Sequence, residues 1–145
     1  MNPMIAITLS NSVSAFRSGG SSSPRPEISR FDFNGLTALD LSNGDDTAKY
    51  LTAGDTAGNN HYFWWSSVNE TEPAVEGIGH NVSFNLGDSP SQLAQLLILV
   101  AENTELWTGS LSGNAAILTM AANGNVANSN AGTTPVNVTT IQEGR

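Results

Sequence analysis

Short apolar segments divide this chain, and each ends within a few residues at glycine, asparagine, aspartate or proline. Segments of this length suit the strands of an antiparallel β domain better than the long helices of a bundle. After Phe31 the pattern predicts strands at Ala38–Ser42, Lys49–Ala53, Asn60–Val68, Asn81–Asn85, Glu105–Leu111, Ala115–Ala121 and Val136–Gln142. We therefore expect a mainly β (α+β) fold, with an antiparallel β sheet or sandwich.

One helix is predicted between the strands. Ser89 is a suitable N-cap residue, Pro90 suits the first helical position, and Gln92 completes a capping box. Apolar residues then recur at helical spacing, at Leu93, Leu96, Leu97 and Val100. The pattern predicts an amphipathic helix at about residues 89–102 that packs on the sheet through this stripe.

Two connections have recognisable turn chemistry. Gly113 and Asn114 lie between two apolar runs and tolerate the positive φ of tight hairpins, so we predict a hairpin there. Residues 123–135 are small, polar and nearly uncharged, which is typical of a long surface loop.

Charge is unevenly distributed between the start of the chain and the rest. Residues 1–30 contain one acid and three arginines, which are Arg17, Arg25 and Arg30. No lysine or arginine occurs between Lys49 and Arg145. Residues 17–26 are rich in glycine, serine and proline, which favours an extended path. We predict an extended N-terminal arm over residues 1–30 and a β-rich body over residues 31–145.

The arm begins with a short strand signal, because Ile5, Ile7 and Leu9 alternate with smaller residues. So short a strand is not stable alone, and we expect it to pair with an edge of its own sheet or of a neighbour's. The three arginines of the arm are expected to meet an acidic surface. The predicted interaction residues are therefore Ile5, Ile7, Leu9, Arg17, Arg25 and Arg30.

The acidic balance and the absence of cysteine exclude several classes of protein. A net charge of −8 argues against nucleic-acid binding, which needs clustered cations. With no cysteine, disulfides, thiolate zinc sites and thiol nucleophiles are excluded. The start of the chain lacks a secretory signal pattern, and the longest apolar run, residues 96–101, is too short for a membrane helix, so we expect no membrane partner. Glu70 and Glu72 are interpreted as solvated turn residues.

The densest aromatic cluster is at residues 61–65. In a strand, His61, Phe63 and Trp65 share one face, and Tyr62 and Trp64 share the other. Such a strand could be a stacking platform for sugars or bases, or a central strand covered on both sides by core and subunit contacts. We favour the second interpretation, because no cationic groove accompanies the aromatic residues.

His61 and His80 are the only histidines, and both lie near acids such as Asp55 and Glu76. Two imidazoles and a carboxylate could hold a metal, but the spacing matches no helical metal motif. No nucleophile elbow or phosphate loop is present either. We therefore expect no catalytic residue, no cofactor and no metal site.

The stretch from about residue 46 to residue 144 resembles a small module that recurs in bacteriophage virion proteins, among them tail and decoration components. The resemblance is carried by residues 53–65, 71–75 and 79–82, by the capped helix, and by residues 110–114 and 140–144. It implies a β-rich building block of the virion without catalytic residues. The first 45 residues lie outside it.

Within a virion, the small acidic body and the basic arm favour a capsid decoration, or cement, protein. Its expected partners are copies of itself and a major capsid or other virion protein, and its expected location is the virion. A tail tube or tail terminator subunit and a fibre component are the alternatives within that class. A small hydrolase or a carbohydrate-binding module is the alternative from another class.

Overall fold

The computed structural model describes residues 23–145. These residues form one α-helix, α1 (Pro90–Asn103), one 3₁₀ helix (Ala38–Leu41) and seven strands. The strands are β1 (Ile28–Asp32), β2 (Lys49–Gly54), β3 (Asn60–Ser66), β4 (Ile78–Ser83), β5 (Trp107–Ser112), β6 (Ala115–Met120) and β7 (Asn137–Gln142). The predicted mainly β (α+β) class with one packed α-helix is confirmed. No helix in this part of the chain is long and apolar enough to cross a membrane.

The strands form two sheets. One is antiparallel, in the order β5-β6-β1-β7, and the other has the order β2-β3-β4. β2 and β3 are antiparallel, but β3 and β4 are parallel, so the antiparallel prediction is wrong for this pair. Gly77 makes the parallel approach possible: its φ is +129°, and a Cβ there would lie 2.2 Å from the carbonyl oxygen of Asn60.

Two predicted strands differ from the structure. Residues 38–41 form the 3₁₀ helix rather than a strand, because the carboxylate of Asp40 accepts a hydrogen bond from the backbone N–H of Thr37 at 2.8 Å and stabilises its first turn. β4 begins at Ile78, three residues before the predicted start at Asn81. The early start extends β4 beside the beginning of β3.

The predicted helix is confirmed, together with its cap. The Ser89 side chain accepts from the backbone of Gln92, whose side chain accepts from the backbone of Ser89. The buried face is centred differently from the prediction: it comprises Leu93, Ala94, Leu97, Ile98 and Ala101, with Leu96 and Val100 only partly buried. Ile98 reaches the core because Gly109 of β5 has no side chain; a Cβ there would lie 2.6 Å from Ile98 Cγ2.

The predicted turn and loop also agree with the structure. β5 and β6 form a hairpin around residues 113–114, with Gly113 at φ +61°. Residues 121–136 form no strand or helix, but Asn130 exchanges two backbone hydrogen bonds with Thr52 of β2. This loop therefore covers the outer edge of β2.

The boundary predicted after residue 30 falls inside β1, which pairs with β6 on one side and β7 on the other. The preceding residues are also bound to the body: backbone hydrogen bonds join Arg25 to Arg145 and Glu27 to Met120. Residues 1–22, which include Ile5, Ile7, Leu9 and Arg17, lie outside the described residues.

Glu70 is not the solvated turn residue that the sequence suggested. It is buried, and its carboxylate accepts hydrogen bonds from Ser42, Asn43, Ser67 and Val68. Burial would raise its pKa, but the hydrogen bonds from Val68, Asn43 and Ser67 outweigh burial and lower the pKa far below the usual range. Glu70 therefore joins the loop after β3 to the loop after the 3₁₀ helix.

We predict that Leu97→Ala lowers the free energy of unfolding by about 2 to 5 kcal/mol, because Leu97 is fully buried under α1. Gln95→Ala is the control on the same helix; Gln95 is exposed, and its change is expected to stay within about 0.5 kcal/mol. Leu97→Asp should leave no folded protein, which circular dichroism checks. Urea denaturation measures the two alanine variants, and equal losses for Leu97→Ala and Gln95→Ala would contradict the packing of α1.

A second prediction concerns Glu27, which is buried beside Glu143. Burial, and then the negative charge of Glu143, raise the Glu27 pKa from 4.5 to about 7. The folded state thus holds this proton more tightly than the unfolded state, so the stabilising contribution is complete below pH 4.5 and is lost as the pH rises through 7. Glu27→Gln should remove this part of the pH dependence.

The measurement is the free energy of unfolding between pH 5 and pH 8 for wild type and Glu27→Gln. Glu76→Gln, at an exposed carboxylate, is the control and should keep the wild-type slope. Parallel curves for wild type and Glu27→Gln would show that Glu27 does not titrate between the two states in this range.

Candidate functional site

The strand β3 places the predicted aromatic cluster at the centre of the three-stranded sheet. The face of β3 toward the core buries His61, Phe63 and Trp65. This agrees with the interpretation of β3 as a central strand whose side chains are covered by the core. On the opposite face Tyr62 is also buried, and its hydroxyl donates to Glu72 at 2.5 Å. Trp64 is half-buried. What covers Trp64 in an assembly stays a prediction.

His61 is the centre of a chain of hydrogen-bonded side chains. Its Nε2 lies 2.8 Å from Oδ2 of Asp55, and its Nδ1 lies 2.9 Å from Nε2 of His80. The two imidazoles are 10° from parallel, with centroids 5.2 Å apart. With a nitrogen–nitrogen distance of 2.9 Å, this places the rings side by side, nearly in one plane. Phe63 and Trp107 contact these rings.

The turn between β2 and β3 fixes the carboxylate of this chain. Asp55 accepts backbone hydrogen bonds from Ala57 and Asn59 and a further one from the Asn59 side chain. Burial raises the pKa of Asp55, but the hydrogen bonds from His61, Asn59 and Ala57 outweigh it and lower the pKa to about 2. Asp55 is therefore ionised at neutral pH.

An ionised Asp55 decides the protonation of both histidines. The carboxylate only accepts, so Nε2 of His61 carries a proton and donates to it. A neutral His61 then has a bare Nδ1, which accepts from the Nε2–H of His80. Burial, and then the charge of a protonated His61, lower the pKa of His80, which favours a neutral ring at pH 7. Nδ1 of His80 is left as an acceptor, and no side chain among residues 23–145 donates to it.

The hydrogen-bonded side chains of Asp55, His61 and His80 can together take up a proton from a bound hydroxyl group or water. A proton accepted at Nδ1 of His80 allows the Nε2 proton to pass to Nδ1 of His61. The positive charge then rests on His61 beside the carboxylate of Asp55, where the opposite charge stabilises it.

The surface beside His80 opens into a groove with a volume of about 760 Å³. One wall is β4, and the other is the C-terminal half of α1 together with the residues that follow it. We call it the β4 groove and define it by Gly79, His80, Asn81, Leu99, Val100 and Leu106. The helix side of the groove combines the apolar residues with the polar residues Asn103 and Thr104. The groove borders the outer edge of β4, which pairs only with β3 among residues 23–145.

From the sequence alone, the two histidines could be metal ligands together with Asp55 or Glu76. The structure brings Asp55, His61 and His80 together as a hydrogen-bonded chain, and Glu76 does not belong to it. No cluster suited to a metal ion occurs in residues 23–145. The sequence does not reveal the hydrogen bonds between Asp55, His61 and His80, because they depend on the parallel register of β4 with β3.

The predicted arm residues that the structure describes lie on the body. Arg25 donates from Nε to the carbonyl oxygen of Glu143 at 2.8 Å. Arg30 lies in β1, and its guanidinium is 3.6 Å from the carboxylate of Asp32. Both residues are therefore part of the β1 and β7 region rather than of a free arm, and the roles of Ile5, Ile7, Leu9 and Arg17 stay predictions.

Comparisons of this chain with protein-family models, with curated proteins and with solved structures find no match.

We predict that nitrogen-15 NMR at pH 7.5 finds a proton on Nε2 of His61, where the carboxylate of Asp55 accepts it, and finds His80 neutral with a bare Nδ1. In His80→Ala, His61 should keep its Nε2 proton, because Asp55 and not His80 fixes it. In wild type, a proton on Nδ1 of neutral His61 would contradict the proposed direction of the hydrogen bonds.

Proposed function

We propose that this chain is a structural subunit of a bacteriophage particle, a capsid decoration protein that acts by assembly and not by catalysis. The observation that carries the proposal is that two end strands, β4 and β7, have open edges, whereas the backbone N–H of Gly109 in the end strand β5 donates to Glu102 of α1. β4 and β7 are each the last strand of a sheet among residues 23–145. An open edge presents unpaired backbone groups that can pair with another chain. The resemblance of residues 46–144 to virion modules supports the same conclusion.

The surface of the body supports assembly through the N-terminal segment. The body is acidic, since no lysine or arginine occurs between Lys49 and Arg145. Residues 1–22 contain Arg17 and no acid. Opposite charges of this kind steer association and weaken as salt rises. Because Arg25 and Arg30 are bound to the body, Arg17 is the arginine of the predicted arm that we assign to this role.

β7 offers a second contact surface. Its residues are alternately exposed, and Ile141 is 55% exposed. An apolar side chain on an open edge is buried when a partner docks there. We assign this edge to contact with a major capsid protein, which is the expected partner of a decoration protein.

The test uses purified particles of the phage that encodes this chain. Mass spectrometry should find the chain in the particles, and gold-labelled antibody against its C-terminus should mark the capsid. A chain lacking residues 1–22 should be depleted from particles, and Arg17→Glu should bind less tightly mainly at low salt. Glu76→Gln is the control for a change of charge on the body and should bind as wild type does.

Two results would contradict the proposal in different ways. Absence of the chain from purified particles would exclude a virion role altogether. Label on the tail would instead establish the tail tube, terminator or fibre alternative.

A further inference from the structure

We infer that the β4 groove is the acceptor site for residues 5–9 of a second copy of this chain, which add there as a strand beside β4. The inference rests on the proposed assembly function and names the contact through which copies join. Its basis is the edge of β4, the apolar side chains on the helix wall of the groove, the charge beside them, and the position at which the described residues begin.

The edge of β4 differs from the other edge of the same sheet. β2 is covered by the loop after β6, through backbone hydrogen bonds from Thr52 to Asn130 and from Thr133 to Tyr50. β4 has no such cover from residues 23–145. A strand added to β4 would satisfy its outward backbone groups and make β4 an interior strand.

The groove beside that edge suits alternate apolar side chains. Leu99 is 57% exposed on the helix wall, and Val100 and Leu106 are partly buried next to it. The sequence from Ile5 to Leu9 places an apolar side chain at every second position. In a strand, Ile5, Ile7 and Leu9 then share one face, which can bury against this wall.

The charge of residues 1–22 and the length of residues 10–22 are consistent with binding of residues 5–9 in the groove. Glu105 is exposed and lies between Thr104 and Leu106, which both line the groove. Residues 1–22 bring Arg17 and no acid to this surface. Residues 10–22 can span at most about 45 Å when fully extended. The first described residues lie near the groove. Glu27 forms a backbone hydrogen bond with Met120, and Ala121, which follows Met120, forms one with Leu106 of the groove.

Each copy would carry one donor segment and one acceptor groove, so the contact joins copies head to tail. A complementation experiment with full-length chains tests this arrangement. Ile7→Lys removes the donor and keeps the groove, whereas Leu99→Glu removes the groove and keeps the donor. Leu39→Glu is the matched control, because Leu39 is 69% exposed and lies outside the groove.

Analytical ultracentrifugation should show concentration-dependent association of wild type and Leu39→Glu. Ile7→Lys alone and Leu99→Glu alone should be monomers with wild-type circular dichroism. An equal mixture of these two variants should form a dimer, because the good donor of one meets the good groove of the other. In nitrogen-15-labelled Ile7→Lys, addition of unlabelled Leu99→Glu should shift the backbone amides of residues 78–83.

Three results would overturn the inference. Wild type that stays monomeric at every soluble concentration would show that the segment does not join copies, whether it folds onto its own groove or not. Association of either single variant at wild-type strength would place the contact elsewhere. Failure of the mixture to associate would exclude an exchange of the segment. In each case, detection of the chain on particles would leave the proposed function standing.

Discussion

Aromatic contacts between the two sheets hold the rest of the structure in place. Trp65 of β3 packs against Phe33, which follows β1, with ring centroids 5.6 Å apart, and against Phe84, which follows β4, at 5.9 Å. Phe63 contacts Trp107 of β5 at 5.8 Å. Large rings bury much apolar area and prefer such tilted or edge-to-face arrangements. β3 is thus joined to the second sheet at the middle and near the C-terminal end of its inner face, and α1 closes the core beside it.

Local signals in the sequence predicted the parts of the fold that local chemistry determines. Ser89 with Pro90 and Gln92 specifies a helix start, and Gly113 specifies a tight turn, because each acts within four residues. The helix face was less predictable, since Ile98 is buried only where Gly109 of another strand leaves room for it. The strand predicted at residues 38–42 failed because Asp40 bonds back to Thr37 and closes a helical turn.

The candidate site could not be predicted from spacing, because its parts meet through a long-range register. Asp55 and His61 belong to one hairpin, but His80 reaches them only because β4 runs parallel to β3. An alternating pattern does not state the direction of a neighbouring strand. Burial of His61 at 2% exposure is tolerated because both of its ring nitrogens have partners. The chain of side chains therefore stabilises β4 against β3 while it leaves Nδ1 of His80 at the groove.

The sequence of β4 supports its proposed role as an edge strand that pairs with a strand of another copy. Monomeric proteins commonly protect an edge strand with lysine, proline, a bulge or a covering loop. The sequence of β4, Ile78–Ser83, contains neither lysine nor proline, and its pairing with β3 is regular over six residues. The loop over β2 shows that this chain does cover an edge elsewhere in the same sheet. An unprotected edge beside exposed apolar side chains invites indiscriminate pairing, and here a neighbouring acid restricts it. Glu105 lies between two residues that line the groove and repels acidic strands, so the surface selects a segment that is apolar at alternate positions and carries no acid.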